Sequence, residues 1–123
     1  MDINEAVETA ISRANSLVKG DRAQLLVIFD VDGDITEFEF ESMRFDYPMM
    51  HQTGMQMAYL HPDCVVLISR VGGHMTVSAK SKDDGGIWMV IPVAEGRSGT
   101  PVYLERLLFQ MVDQFWDGVR EQE

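Results

Sequence analysis

Two spacings of apolar residues divide the chain. Ile3, Val7, Ala10, Ile11, Ala14, Leu17 and Val18 recur with the period of one helical face. Asp2 and Glu5 stand where a capping box places them, and Lys19 and Gly20 suit a helix end. A first helix is therefore expected. Leu25 to Phe29 is a short unbroken apolar run, as in a strand covered on both sides. Asp32-Gly33 is a tight-turn signal, and beyond it Glu37, Glu39 and Glu41 alternate with Phe38 and Phe40. The two segments predict an antiparallel hairpin. Asp46 and Pro48 open a second helix over Asp46 to Leu60, with Gly54 weakening its middle. Cys64 to Ser69 reads as a central strand. Met75, Val77 and Ala79 alternate with polar neighbours in the next, and Ile87 to Ile91 forms a third that Pro92 ends. Ala94 to Gly99 is expected to be a loop. Thr100 and Pro101 then start a final helix with Leu104, Leu107, Leu108, Met111, Val112 and Phe115 on its apolar face.

The expected order is α-β-β-α-β-β-β-α. It implies an α+β fold with one five-stranded antiparallel sheet and flanking helices, because such short turns join only antiparallel neighbours. This order resembles that of roadblock and profilin-like domains, and Val27-Ile28-Phe29-Asp30-Val31-Asp32-Gly33 is similar to the first hairpin of roadblock proteins. The resemblance implies a non-catalytic, dimeric domain that docks onto other proteins. PAS and GAF sensor domains share a similar order, which would place a ligand pocket between the sheet and the Asp46–Leu60 helix.

Composition narrows the setting. The 123 residues, 46% hydrophobic and 24% charged, suit one globular domain rather than a disordered chain. No apolar run approaches the roughly 18 residues of a membrane span, and the acidic start is unlike a secretory signal. The single cysteine, Cys64, excludes an internal disulfide and suits a buried thiol in a reducing cytoplasm. A net charge of −10 opposes nucleic acid and anionic membranes as partners, and favours a basic protein or a cation.

Candidate chemistry is concentrated in the first hairpin. Leu25 to Phe29 followed by Asp30-Val31-Asp32-Gly33-Asp34 is similar to the first motif of haloacid dehalogenase-like phosphatases. That likeness implies Asp30 as nucleophile, Asp32 as acid and base, and a magnesium ion, with Ser69, Lys80 or Lys82, and Asp83-Asp84 imitating the remaining motifs. Asp34 departs from the motif's threonine, and the period-two run after it reads as a hairpin rather than a crossover. Asp30, Asp32 and Asp34 also brush a calcium-loop pattern ending at Glu41, but the glycine falls at position four. His51, His61 and His74 form no metal-ligand spacing with each other, and His61 with Cys64 is a lone pair. Arg97, Ser98 and Thr100 precede the expected final helix, where backbone amides would favour an anion.

Met43, Met49, Met50, Met55 and Met57 put five methionines in fifteen residues. Methionine fills irregular cores and also adapts to varied partners. The expected function is therefore a protein-interaction or regulatory module, homodimeric and without a cofactor. Its expected contact surface is Met49, Met50, Met55, Met57 and Leu60 with Trp88 and Trp116. A small magnesium-dependent phosphatase and a PAS-like ligand sensor are the alternatives.

Overall fold

The computed structural model describes residues 2–17, 22–40, 46–71, 74–83, 86–94, 97–98, 102–103 and 110–123. Of residues 16–17, 22, 40, 71, 87–94, 97–98, 102–103 and 110 it describes the backbone alone. Helix α1 covers Ile3–Leu17, and strands β1 and β2 cover Arg22–Asp30 and Ile35–Phe40. Helix α2 spans Tyr47–Met57 and passes into a 3-10 turn, Ala58–Leu60. Strands β3, β4 and β5 are Pro62–Val71, His74–Ser81 and Gly86–Ala94. Two-residue strands β6, Arg97–Ser98, and β7, Val102–Tyr103, precede helix α3, Gln110–Glu121.

The fold is α+β, with an open antiparallel sheet in the order β2-β1-β3-β4-β5-β6 and with β7 also paired to β5. Among the described residues seven strands form, exceeding the expected five by β6 and β7, which fall where a loop and the start of the last helix were expected. Thr100 lies outside the described residues, and Val102-Tyr103 pairs with Val90 and Met89 instead of opening a helix. A capping residue followed by proline also suits entry into a strand, and the β-branched and aromatic pair that follows favours one. Leu104, Leu107 and Leu108 lie outside the described residues. Strand β5 runs through Pro92, which sits opposite His74 in the last β4–β5 pair. On its other side Pro92 falls between the segments paired to β7 and to β6, where the missing N–H costs no ladder bond.

β1 and β3 lie side by side between β2 and β4 and are covered on both faces, by α1 on one and by α2 and α3 on the other. Leu25 to Phe29 are at most 1% exposed. Leu25, Val27 and Phe29 meet Cys64, Val66, Ile68 and α1 on one side. There Ala6, Ala10 and Ala14 let the helix approach the sheet closely. Leu26 and Ile28 face the other way, with Val65 and Leu67, toward α2 and α3. That second core is made of larger groups: Met50, Val112, Phe115, Trp116 and Val119. Phe115 and Trp116 meet edge to face, with centroids 5.5 Å apart.

Helices α2 and α3 touch backbone to backbone. A Cβ at Gly54 would stand 2.0 Å from the Phe115 carbonyl oxygen, and one at Gly118 would stand 2.0 Å from that of His51. Gly54 therefore does not break α2, because the absence of a side chain there is what lets α3 seat on it. His51 and Glu121 add a side-chain hydrogen bond beside this crossing. The α2 start is built as expected, with the Met49 amide donating to Asp46 Oδ1 at 2.8 Å.

Candidate functional site

The β1–β2 connection is a polar turn closed from within. The Asp32 and Asp34 amides donate to Asp30 Oδ1 at 2.9 and 3.0 Å, and the Gly33 amide donates to the Asp30 carbonyl at 3.0 Å. Gly33 has φ +84, a left-handed conformation that glycine adopts without strain. Asp30 thus uses its carboxylate to hold the turn. Ser69 lies opposite Gln24, at the far end of β1 from Asp30, which is opposite Pro62. Ser69 is seven positions beyond Pro62 along β3, about 23 Å of extended chain. Ser69 is therefore far from Asp30, whereas Lys82 comes to the same end of the sheet as the turn.

Val31, the one apolar residue of this turn, points into solvent at 64% exposure. Its amide donates to the His61 carbonyl at 3.1 Å, and His61 has φ 52 after the 3-10 turn. This left-handed residue turns the chain from α2 into β3 and fastens the hairpin turn to the helix end. The Lys82 amide donates to the Asp63 carbonyl at 2.9 Å, which draws the end of β4 to the same place.

These ties leave a cleft of about 620 Å³ between the hairpin turn, the end of α2, the start of β3 and the end of α3. Its apolar lining is Val31, Met55, Ala58, Tyr59, Pro62 and Val119. Gln56, Gln122, His61, Lys82 and Glu123 complete it. Among the described residues, three large apolar side chains are exposed, and two of them, Val31 and Tyr59 (71%), line this cleft, while the third is Tyr47. Lys82 Nζ pairs with Glu123 at 2.9 Å, and this hydrogen bond and charge hold its pKa above the ordinary lysine value.

The expected contact residues separate into different environments. Met55 lines the cleft. Met50 and Trp116 are fully buried and belong to no surface, which corrects the expectation for both. Trp116 can be buried because its indole N–H donates to the Lys80 carbonyl at 3.1 Å, leaving no polar atom unsatisfied. Met49 and Met57 are half-buried against the same core, and Leu60 is half-buried at the end of the 3-10 turn. Trp88 lies in β5 opposite Ser78, with only its backbone described. Arg97 and Ser98 form β6, paired with Val93 and Ala94, so the anion site expected before a helix has no helix start beside it.

No group of histidine, cysteine, aspartate or glutamate side chains among the described residues could hold a metal ion. His51 faces Glu121, and His74 is exposed at the start of β4. Cys64 is fully buried on the α1 side of the sheet. Burial first, and then the charges of Asp63 and Asp2, push its thiol pKa up to about 12. Among the described residues no helix is long and apolar enough to cross a membrane.

Pattern reading missed Val31, Tyr59, Lys82, Val119 and Gln122 as neighbours. One local signal did exist: a valine set among the aspartates of a turn has no reason to be there for solubility. No family model matches this chain, and comparison with curated proteins and with solved structures finds no match either.

Proposed function

We propose that the chain is a non-catalytic protein-interaction module that docks through the cleft between the hairpin turn and the ends of α2 and α3. One observation carries the reading: among the described residues, Val31 and Tyr59 hold apolar surface exposed at a cleft that half-buried Met55 also lines, while both faces of β1 and β3 are filled. Concentrated apolar exposure beside polar groups is the usual mark of an interface. The module needs no cofactor. Its likeness to roadblock and profilin-like domains lies in the order of elements along the chain and in the Val27–Gly33 hairpin stretch, of which Val31 lines the cleft.

A second reading has one observation in its favour. The cleft volume falls in the range of small-molecule sites, roughly 300–1,000 Å³. A PAS-like pocket between the sheet and α2 is a different place, and Met50, Leu26, Ile28 and Phe38 fill it. The phosphatase alternative needs a strand running into a helix after Asp34, where the chain instead returns along β1 as β2.

The test pairs wild type with Tyr59→Glu and Val31→Glu, each checked by circular dichroism. A protein retained by wild type from an extract of the source cells should be lost by both variants, and light scattering shows whether that protein is a second copy. Identical retention by all three would remove the cleft as the interface. Turnover of a phosphate ester that needs magnesium and is lost in Asp30→Asn would replace this function with the hydrolytic one.

A further inference from the structure

We infer that the occupant of the cleft is a short segment of another protein that carries a large apolar side chain flanked by lysine or arginine. The inference rests on the cleft being the docking surface and adds the chemistry of what docks. Val31 and Tyr59 bring exposed apolar surface to the cleft from two elements, the hairpin turn and the 3-10 turn, over a floor that includes buried Val119 of α3. An apolar side chain entering between them covers surface that the fold leaves in water. Gln56 of α2 and Gln122 just beyond α3, both exposed, bring side-chain amides to the cleft, and each can donate to and accept from an extended backbone.

The surroundings select the sign of the flanking charge. Exposed Asp32 follows Val31 in the turn, Asp63 follows Pro62, exposed Asp83 follows Lys82, and Glu123 lies in the lining itself. Two cations are near. Lys82 is held by Glu123 at 2.9 Å, and Arg120 is held by Asp117 at 3.3 Å. The net field at the mouth is therefore acidic, and the whole chain adds a charge of −10 behind it. Such a field speeds the approach of a basic segment and opposes a second copy, a nucleic acid or an anionic membrane. The Lys82–Glu123 pair is exposed at both ends, 46% and 49%, so an incoming lysine can replace Lys82 at Glu123 without opening the core.

The experiment is a nuclear magnetic resonance titration of the whole chain with three short synthetic peptides. The first has a central tryptophan flanked by lysines, the second replaces the lysines with glutamates, and the third replaces the tryptophan with glycine. The first peptide should shift the amides of Val31, Tyr59 and Val119 and bind at least about tenfold tighter than either of the others. Its affinity should fall as salt rises. Tyr59→Ser and Val31→Ser should each abolish those shifts, and Glu123→Gln should weaken binding while leaving the anchor shifts in place. Equal or better binding by the glutamate peptide overturns the charge assignment and leaves the docking surface standing. Equal binding by the glycine peptide overturns the apolar anchor. No shift at the cleft with any of the three overturns the docking surface itself.

Discussion

The same two helices make a backbone-to-backbone crossing and help to line an open cleft. At their crossing, Gly54 and Gly118 bring α2 and α3 together so closely that neither position has room for a methyl group. At the cleft, Met55 and Val119 from those helices line open space with Val31 and Tyr59. The crossing shows where apolar surface was committed to holding the fold. The cleft shows apolar surface that the fold does not use. Whether the two regions are separable in energy is the question the variants below address.

The largest loss is expected at Trp116, which is fully buried in the core beneath α2 and α3. Trp116→Ala should cost about 4 kcal/mol in denaturant unfolding, from lost burial and the cavity left behind. Gly54→Ala should cost about 3 kcal/mol by the opposite route, since the new Cβ forces the helices apart. If Gly54→Ala proves neutral, the crossing is looser than described and the contrast with the cleft weakens.

A smaller effect is expected in the turn that carries Val31 to the cleft. Asp30→Ala removes the acceptor for two turn amides and should lower stability by about 1 kcal/mol in the same assay. Asp30→Asn keeps an acceptor and should cost less.

Cys64 measures how far the cleft penetrates. It lies two residues beyond Pro62 of the cleft wall, yet is fully buried on the opposite side of the sheet. Iodoacetamide should label it only on unfolding, and fast labelling of native protein would mean that the cleft reaches the core. With the folded thiol pushed up to about 12 from an ordinary 9.0, the unfolded chain loses this proton first. Cys64 therefore leaves stability unchanged below pH 9, and its contribution falls as pH rises from 9 toward 12.

Much of the architecture was legible because local pattern and tertiary role agree. The Leu25–Phe29 run announced a strand covered on both faces, and the aspartate-rich turn announced its return. Asp46 and Pro48 marked the α2 start. The failures share a cause. Gly54 reads as a weak helix position until α3 is placed against it, and Trp116 reads as a surface aromatic until the Lys80 carbonyl is found for its N–H. Val102-Tyr103 reads as helix because its pairing partners lie in β5, outside any local window. The cleft was the least legible feature, since its lining comes from the β1–β2 turn, both ends of the α2–β3 connection, β4 and α3.

The most direct test of the central claim is urea unfolding of the Val31→Ser/Tyr59→Ser double variant. If the apolar surface at the cleft is held out for a partner, the unfolding free energy should stay within about 0.5 kcal/mol of wild type. A loss of about 2 kcal/mol or more, on the scale of core truncation, would show that these side chains hold the fold together and would contradict the account.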